Sequence, residues 1–350
     1  TGPTTAPTYK THSKKFSLAS PPKRTTNLSC LYFLLLLLQC APMKIGILCF
    51  TALGNKNTVS DLLLKRTALL MGHKAVLLRA ARFQFLFDGK HPEFFYKEKI
   101  FGKYDVIIVR AGMNSDIDLK VSVVKQLQLA GIPVVNKYMP IVRAKNKLRT
   151  LQILNHEGIP IPRTVVLNSM EHIDDAVART GNFPLIMKSP YGLQGTGVMI
   201  FETKRSLVSA MDFLSSAVKN NLLIIQEYIK EAKGKDIRIF VIGGKVVAAM
   251  ERKAKKGEFR SNFHRGGSIR IADLFDEERD LALRATKAIG LDYAGVDVLR
   301  TNDGPKVLEV NSNPGLEGIT KATGVNVAEH IIKFALKRAQ QVSHSEPRLV

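Results

Sequence analysis

Two stretches in the C-terminal third of this 350-residue chain carry the clearest alternation of polar and apolar positions. Asp236-Ile-Arg238-Ile-Phe-Val-Ile242 alternates, and Gly243-Gly244 then supplies a two-residue hairpin turn into Lys245–Ala249. Ala294–Arg300 and Lys306–Asn311 are rich in β-branched residues. The turn signal Thr301-Asn-Asp-Gly304-Pro305 joins them as a second antiparallel hairpin. Upstream the pattern changes type. Met43–Phe50, Ala75–Arg79 and Tyr104–Arg110 are apolar runs of strand length, and Gly131-Ile-Pro133-Val-Val135 announces another. Amphipathic helices are predicted between them, over Thr58–Met71 (closed by Gly72) and about Asp118–Ala130. Strands alternating with helices predict an open, mostly parallel α/β sheet.

Pro140 begins a boundary. Ile141–Glu157 reads as one helix with apolar positions at Ala144, Leu148, Leu151 and Leu154, and with Arg143, Lys145, Lys147 and Arg149 on its other face. Phe183–Ile200 reads as two strands around a glycine-bearing loop, followed by a helix over Lys204–Lys219 and a buried strand over Leu222–Ile229. A further helix spans Asp276–Ile289, with acids at its start and Gly290 at its end. The last helix is predicted over Val325–Ala339, and Gln340–Val350 is a polar tail.

The first 42 residues differ from the rest. Thr1–Asn27 is rich in Thr, Ser, Pro and Lys without an acid and reads as disordered, and the apolar run Leu28–Leu38 is too short to span a membrane. The run has the outline of a signal peptide. Met43-Lys-Ile-Gly-Ile-Leu48 is nevertheless a natural opening for an intracellular α/β domain, so translated upstream sequence is the favoured expectation. Net charge is +22, and the five basic residues of the leader leave +17 on the remainder, which favours anionic partners. Cys30, Cys40 and Cys49 show no paired or metal-ligand spacing, which fits a reducing, cytoplasmic setting without disulfides or zinc.

Candidate chemistry gathers in three places. Lys188 ends a strand beside the loop holding Gly192, Gly195 and Gly197, where backbone N–H groups can close over phosphates. On the second hairpin, Glu309 and Asn311 are two residues apart and leave the same face, with Asp297 on the neighbouring strand. Two carboxylates and an amide oxygen make a hard set that suits Mg²⁺. Third, the segment Glu251–Gly267 mixes bases with Phe259 and Phe263. Its composition suits a single-stranded nucleic-acid binder or a loop clamping phosphates and an acidic substrate. Thr51-Ala-Leu-Gly54 lacks dinucleotide glycine spacing, no Walker lysine follows a glycine loop, and no Ser–His–Asp arrangement occurs.

Four long stretches then narrow the reading: Arg143-Ala-Lys-Asn-Lys147-Leu-Arg149, Gln226–Arg238, Phe259–Gly267 and Glu309–Gly318. Through them the chain, from Met43 to about Arg338, resembles the ATP-grasp ligases, and specifically the RimK group of ribosomal protein S6–glutamate ligases. One departure is Asn146, where the group's pattern has an aspartate. The resemblance implies an N-terminal α/β domain over residues 43–140, a central ATP-grasp subdomain over 141–228 and a C-terminal one over 229–339. The leader (1–42) and the tail (340–350) fall outside it.

Site residues are carried over by position. Lys188 and Lys147 would meet the ATP phosphates, Glu227 and Tyr228 the adenine, and Asp236 the ribose; Arg260, Ser261 and Asn262 would face the phosphates. Gly192, Gly195 and Gly197 would form a lid. Asp297, Glu309 and Asn311 would hold Mg²⁺ or Mn²⁺, two ions being expected. Arg238 and Arg260 would act in catalysis, Arg238 on an acyl phosphate and Arg260 on the transferring phosphoryl group. The implied reaction joins L-glutamate to the C-terminal carboxylate of a protein such as ribosomal protein S6. A sister activity on a small cofactor or a carrier protein is the alternative, and a nucleic-acid-binding protein without enzymatic activity is a third class. No DNA or membrane partner is expected, and a homo-oligomer suits the family.

Overall fold

Thr58 starts the first helix through a reciprocal cap. Its hydroxyl accepts from Asp61 N at 3.2 Å while the Asp61 carboxylate accepts from Thr58 N at 3.4 Å. The computed structural model describes residues 1–2 and 41–345, apart from 90–92, 113–116, 190–196, 218–221, 233, 256 and 259–265. The expectations for the leader therefore lie almost wholly outside the described residues. Among those residues no helix is long and apolar enough to cross a membrane.

The N-terminal part contains β1 (Lys44–Cys49), α1 (Val59–Leu70), β2 (Lys74–Arg79), β3 (Phe83–Leu86), β4 (Glu93–Tyr96), β5 (Lys99–Ile100), β6 (Val106–Arg110), α2 (Ile117–Leu129) and β7 (Val134–Val135). Strands β2-β1-β6-β7 form the parallel sheet that the alternating pattern predicts. Strands β3–β5 add a small antiparallel sheet that the sequence reading did not anticipate, held by contacts among Phe83, Phe85, Phe94, Tyr96 and Phe101.

The single helix expected over Ile141–Glu157 is two, α3 (Tyr138–Lys145) and α4 (Lys147–His156). Asn146 makes the break. Its backbone leaves helical geometry (φ −111°, ψ 113°) and its side chain caps α4 by accepting from Arg149 N at 3.1 Å. Asparagine and aspartate cap comparably, so Asn146 can serve where the resemblance has an aspartate.

The central part contains β8 (Thr164–Leu167), α5 (Ile173–Thr180), β9 (Leu185–Lys188), β10 (Val198–Phe201), α6 (Lys204–Ala217) and β11 (Leu223–Glu227), with antiparallel order β10-β9-β11-β8. The C-terminal part contains β12 (Lys235–Ile242), β13 (Lys245–Lys253), β14 (Ser268–Ile271), α7 (Asp276–Ile289), β15 (Tyr293–Thr301), β16 (Gly304–Asn311), α8 (Leu316–Thr323) and α9 (Val327–Ser345). Its antiparallel order is β14-β13-β12-β15-β16. The turn Gly243-Gly244 joins β12 to β13 with both residues at positive φ (57° and 73°). A Cβ on Gly243 would also lie 2.6 Å from Phe334.

Alternation along these five strands sorts their two faces. Ile237, Ile239, Val241, Val296 and Val298 pack under α7 through Leu281 and Ala285. On the opposite face, Phe240, Ile242 and Tyr293 share a core with Ile45 and Ile47 of β1 and Ile331 of α9. The other end of that second face is polar and forms the site.

Buried polar ties fix the loop after β16 against the N-terminal sheet. Asn136 is fully buried; its amide donates to the carbonyls of Tyr293 (2.9 Å) and Ser312 (3.2 Å), and its oxygen accepts from Asp292 N and Tyr293 N. Arg110 pairs with Asp61 at 3.3 Å and donates twice to the Pro314 carbonyl at 3.1 Å. Removing one partner of a buried ion pair strands the other charge. Asp61→Ala is therefore expected to lower unfolding free energy by about 3–5 kcal/mol, read as a drop in urea midpoint at unchanged m-value. An unchanged midpoint would show that the pair adds nothing to the fold.

Candidate active site

Strand parity brings Asp236, Arg238, Arg252, Asp297 and Glu309 to one sheet face, because Asp236 pairs with Arg252, Arg238 with Asp297, and Asp297 with Glu309. Arg238 grips Asp297 through two bonds of 2.7 Å, and Arg252 adds a third at 2.8 Å. Arg252 also makes two 2.6 Å bonds to Asp236. Burial by itself would raise the Asp297 carboxyl, but Arg238 and Arg252 outweigh it and hold the group below the usual carboxylate range. Gly295 makes room for this arrangement. A Cβ there would sit 2.8 Å from Pro314 and 3.6 Å from the Arg238 stem.

A bulge refines the β15–β16 hairpin. Asp297 faces Glu309 while Val298 faces Val307, so Leu308 is the extra residue. Val307 and Val310 thereby both reach the core under α7, while Leu308 and Glu309 line a pocket with Lys147, Lys188, Gln226 and Thr150. Asn311 completes the acidic end. In the amide orientation that satisfies both of its atoms, it donates to Glu309 at 3.2 Å and accepts from Arg238 at 3.1 Å. Asp297, Glu309 and Asn311 are thus together, as parity predicted.

Lys188 ends β9 and donates to Gln226 Oε1 at 2.5 Å; Gln226 in turn donates to Thr164 at 2.8 Å. Burial pushes the Lys188 ammonium down to about 8, with the Glu309 charge opposing the shift and Lys147 adding to it. Lys145 is likewise pushed down to about 8 by burial, opposed by Glu309 and reinforced by Arg110 and Lys147. Glu227, at the end of β11, accepts from Arg163 N at 2.8 Å and from Lys306 at 2.9 Å. Burial would raise its carboxyl, yet these donors hold it below the ordinary value. Tyr228 follows it, partly buried. Gly197 lies at φ 73° where the Gly-rich loop rejoins β10, and its carbonyl accepts from Ser189 N at 2.9 Å. Gly192, Gly195, Arg260, Ser261 and Asn262 lie outside the described residues.

One expectation needs correcting. Arg252 was grouped with a basic, substrate-attracting loop, but it belongs to β13, is 4% exposed and is spent on Asp236 and Asp297. The expected alternation stopped at Ala249, whereas pairing with β12 continues to Lys253. Gln226, Lys145, Lys306 and Arg110 escaped the sequence reading. Gln226 alone had a local signal, a polar residue inside the buried run Leu-Ile-Ile-Gln.

A RimK-like ATP-grasp domain model matches residues 144–335, and a RimK PreATP-grasp domain model matches 43–141. The chain belongs to the RimK-like ATP-grasp family. A probable alpha-L-glutamate ligase from Vibrio vulnificus is 41% identical over 290 residues, covering 83% of this chain and 95% of that protein. Two solved structures share the fold. A RimK domain ATP-grasp protein from Sphaerobacter thermophilus has a TM-score of 0.65 at 21% identity, covering 84% of this chain and 99% of that one. The ATP-grasp ligase PsnB, complexed with minimal precursor, Mg and ADP, has a TM-score of 0.64 at 19% identity, covering 85% and 98%. As a RimK-like ATP-grasp chain, the protein is a ligase, an enzyme that joins carbon to nitrogen.

The lowered lysines give a direct test. Competitive acetylation across pH should place the midpoints of Lys145 and Lys188 near 8. Glu309 opposes both shifts, so Glu309→Gln should move both midpoints further down. Midpoints that stay put in this variant would detach Glu309 from the lysines.

Proposed function

We propose that this protein is an ATP- and Mg²⁺-dependent carboxylate–amine ligase that adds L-glutamate to the C-terminal carboxylate of a protein, of the ribosomal protein S6 type. The observation that carries the reading is the pocket where Lys147 and Lys188 meet Glu309, beside the Asp297–Arg238–Arg252 network. Similarity to a probable alpha-L-glutamate ligase supports glutamate as the amine donor, and the precursor in the PsnB complex supports a peptide acceptor.

The residues present fit a hard divalent cation. Asp297, Glu309 and Asn311 offer oxygen donors on one face, and Arg238 and Arg252 keep Asp297 ionised. Three bonds from the arginines use three of the roughly four lone-pair positions of Asp297, which leaves Glu309 as the principal ligand. Glu309, with Asp297 and Asn311, would hold Mg²⁺ or Mn²⁺, two ions being proposed, and the metal would supply charge neutralisation for the phosphoryl group.

The chain's own groups do the rest. Lys147 and Lys188 draw the phosphates into the pocket, and Gln226 aims Lys188. Glu227 and Tyr228 border the adenine. Asp236, held by two bonds from Arg252, is assigned to the ribose. By the resemblance, Arg260, Ser261 and Asn262 would meet the phosphates, and the loop of Gly192, Gly195 and Gly197 would keep water from the activated acceptor. The acceptor carboxylate attacks the terminal phosphorus and ADP departs. The glutamate amine then attacks the acyl carbon, phosphate leaves, and an amide remains. Arg238, already beside Asp297, steadies the acyl phosphate.

The full chain should be incubated with Mg-ATP, L-glutamate and an S6 C-terminal peptide while ADP release and acceptor mass are followed. Glutamyl increments on the peptide are expected, with kcat lowered by about 10²–10³-fold in Lys188→Met. ADP release without a modified peptide would transfer the activity to another acceptor. Absence of ADP release with every acceptor would refute the ligase reading.

A further inference from the structure

The break at Asn146 divides a row of bases that the sequence places on one helical face. Lys147 turns into the pocket that holds Lys188 and Glu309, together with Thr150, Leu151 and Leu154 of α4. Arg143 of α3 and Arg149 of α4 instead line a second cavity, of about 400 Å³, which α2, α3 and α4 border. The two cavities have no lining residue in common. By the helical repeat, Lys147, Thr150, Leu151 and Leu154 share one face of α4, whereas Arg149, Gln152 and Ile153 share the opposite one. The second cavity therefore lies behind α4, away from the residues assigned to ATP and metal. Its volume is in the range of small-molecule sites.

The walls divide by chemistry. Val142 is buried and makes an apolar side with Ile153 and Met139, and Met139 remains 49% exposed. The charged side consists of Arg143, Arg149 and Asp118, the last in the first turn of α2. Each guanidinium makes one side-chain hydrogen bond among the described residues, and both bonds are long. Arg149 Nη1 donates to Asp118 Oδ1 at 3.5 Å, and Arg143 Nη1 donates to the Ile289 carbonyl at 3.5 Å. A guanidinium carries five N–H donors, so most of these stay available. The Arg149–Asp118 pair is exposed, and little is lost when it opens to a ligand. α2 has a firmer tie to α3, because Gln128 Oε1 accepts from Tyr138 N at 2.7 Å.

We propose that this cavity is a second ligand site, which takes an organic monocarboxylate with an apolar body. A carboxylate matches the planar N–H fork of arginine. Charge selects a monoanion. The two guanidiniums stand against the Asp118 carboxylate and the carbonyl end of α7, where Arg143 donates. That balance suits one negative charge and disfavours a phosphate dianion. The hydrocarbon part of the ligand lies on Val142, Ile153 and Met139, which removes exposed apolar surface from water. A simple acid and an α-amino acid share this chemistry, and the ammonium of an amino acid pairs with Asp118.

Saturation-transfer NMR on the full chain, without nucleotide, compares 4-methylpentanoate with its neutral amide and with L-leucine. The acid should bind about 10- to 100-fold more tightly than the amide, the worth of charge-assisted bonds. Arg143→Gln and Arg149→Gln should each raise the Kd of the acid about 10-fold. Leucine binding tighter than the acid assigns an amino acid, and leucine binding no tighter assigns a simple acid. Equal Kd values for acid and amide, a Kd unchanged in either arginine variant, or no binding at millimolar acid would overturn the site. Arg143 also touches the end of α7, so its variant may lack a cooperative thermal transition. Gln152→Glu then replaces it, since it keeps both arginines and adds a carboxylate at an exposed position of the cavity wall. It should weaken the acid about 10-fold and leave the amide unchanged; unchanged acid binding there would overturn the site equally.

Discussion

The site depends on keeping Asp297 ionised although it is 3% exposed. A carboxylate so placed takes a proton unless opposite charge is fixed against it. Arg238 and Arg252 supply that charge from two strands, and Asp236 balances Arg252 from a third position on the same face. Two acids and two bases thus cancel within a desolvated patch, and the cross-strand register that brings them together is the register of the sheet itself. A slip of one residue in any of these strands would turn that strand's members to the apolar side under α7. The chemistry and the fold consequently share one constraint.

Around that patch the site is assembled from distant pieces of chain. The central sheet brings Lys188 and Gln226, the α3–α4 break brings Lys145 and Lys147, and the β16 bulge brings Glu309. Arg110 and Asn136 then tie the loop after β16 to the parallel sheet. On this side Lys145 and Lys188 each feel the attraction of Glu309 and the repulsion of Lys147.

Much of this was legible in the sequence. Alternation gave both long hairpins, and two-residue spacing gave the shared face of Glu309 and Asn311. The strand–helix pattern gave the parallel sheet. What escaped depends on tertiary context. Leu308 is a bulge because Val307 and Val310 both need the core, which no local spacing announces. Arg252 reads as a loop base amid Lys253, Lys255 and Lys256, and becomes a buried ion-pair partner only once β13 is known to run on to Lys253. The Asp61–Arg110 pair joins residues 49 positions apart. Strands β3–β5 and β8 are two to four residues long, too short for periodicity to register.

Glu309, supported by the arginine-bound Asp297, is proposed as the acidic end of a nucleotide-dependent metal site. Electron paramagnetic resonance of Mn²⁺ titrated into the full chain, with and without ADP, measures this directly. The account predicts Mn²⁺ binding that strengthens with ADP and is lost in Glu309→Gln, while far-UV circular dichroism is unchanged. Equal Mn²⁺ affinity in wild type and Glu309→Gln would contradict it.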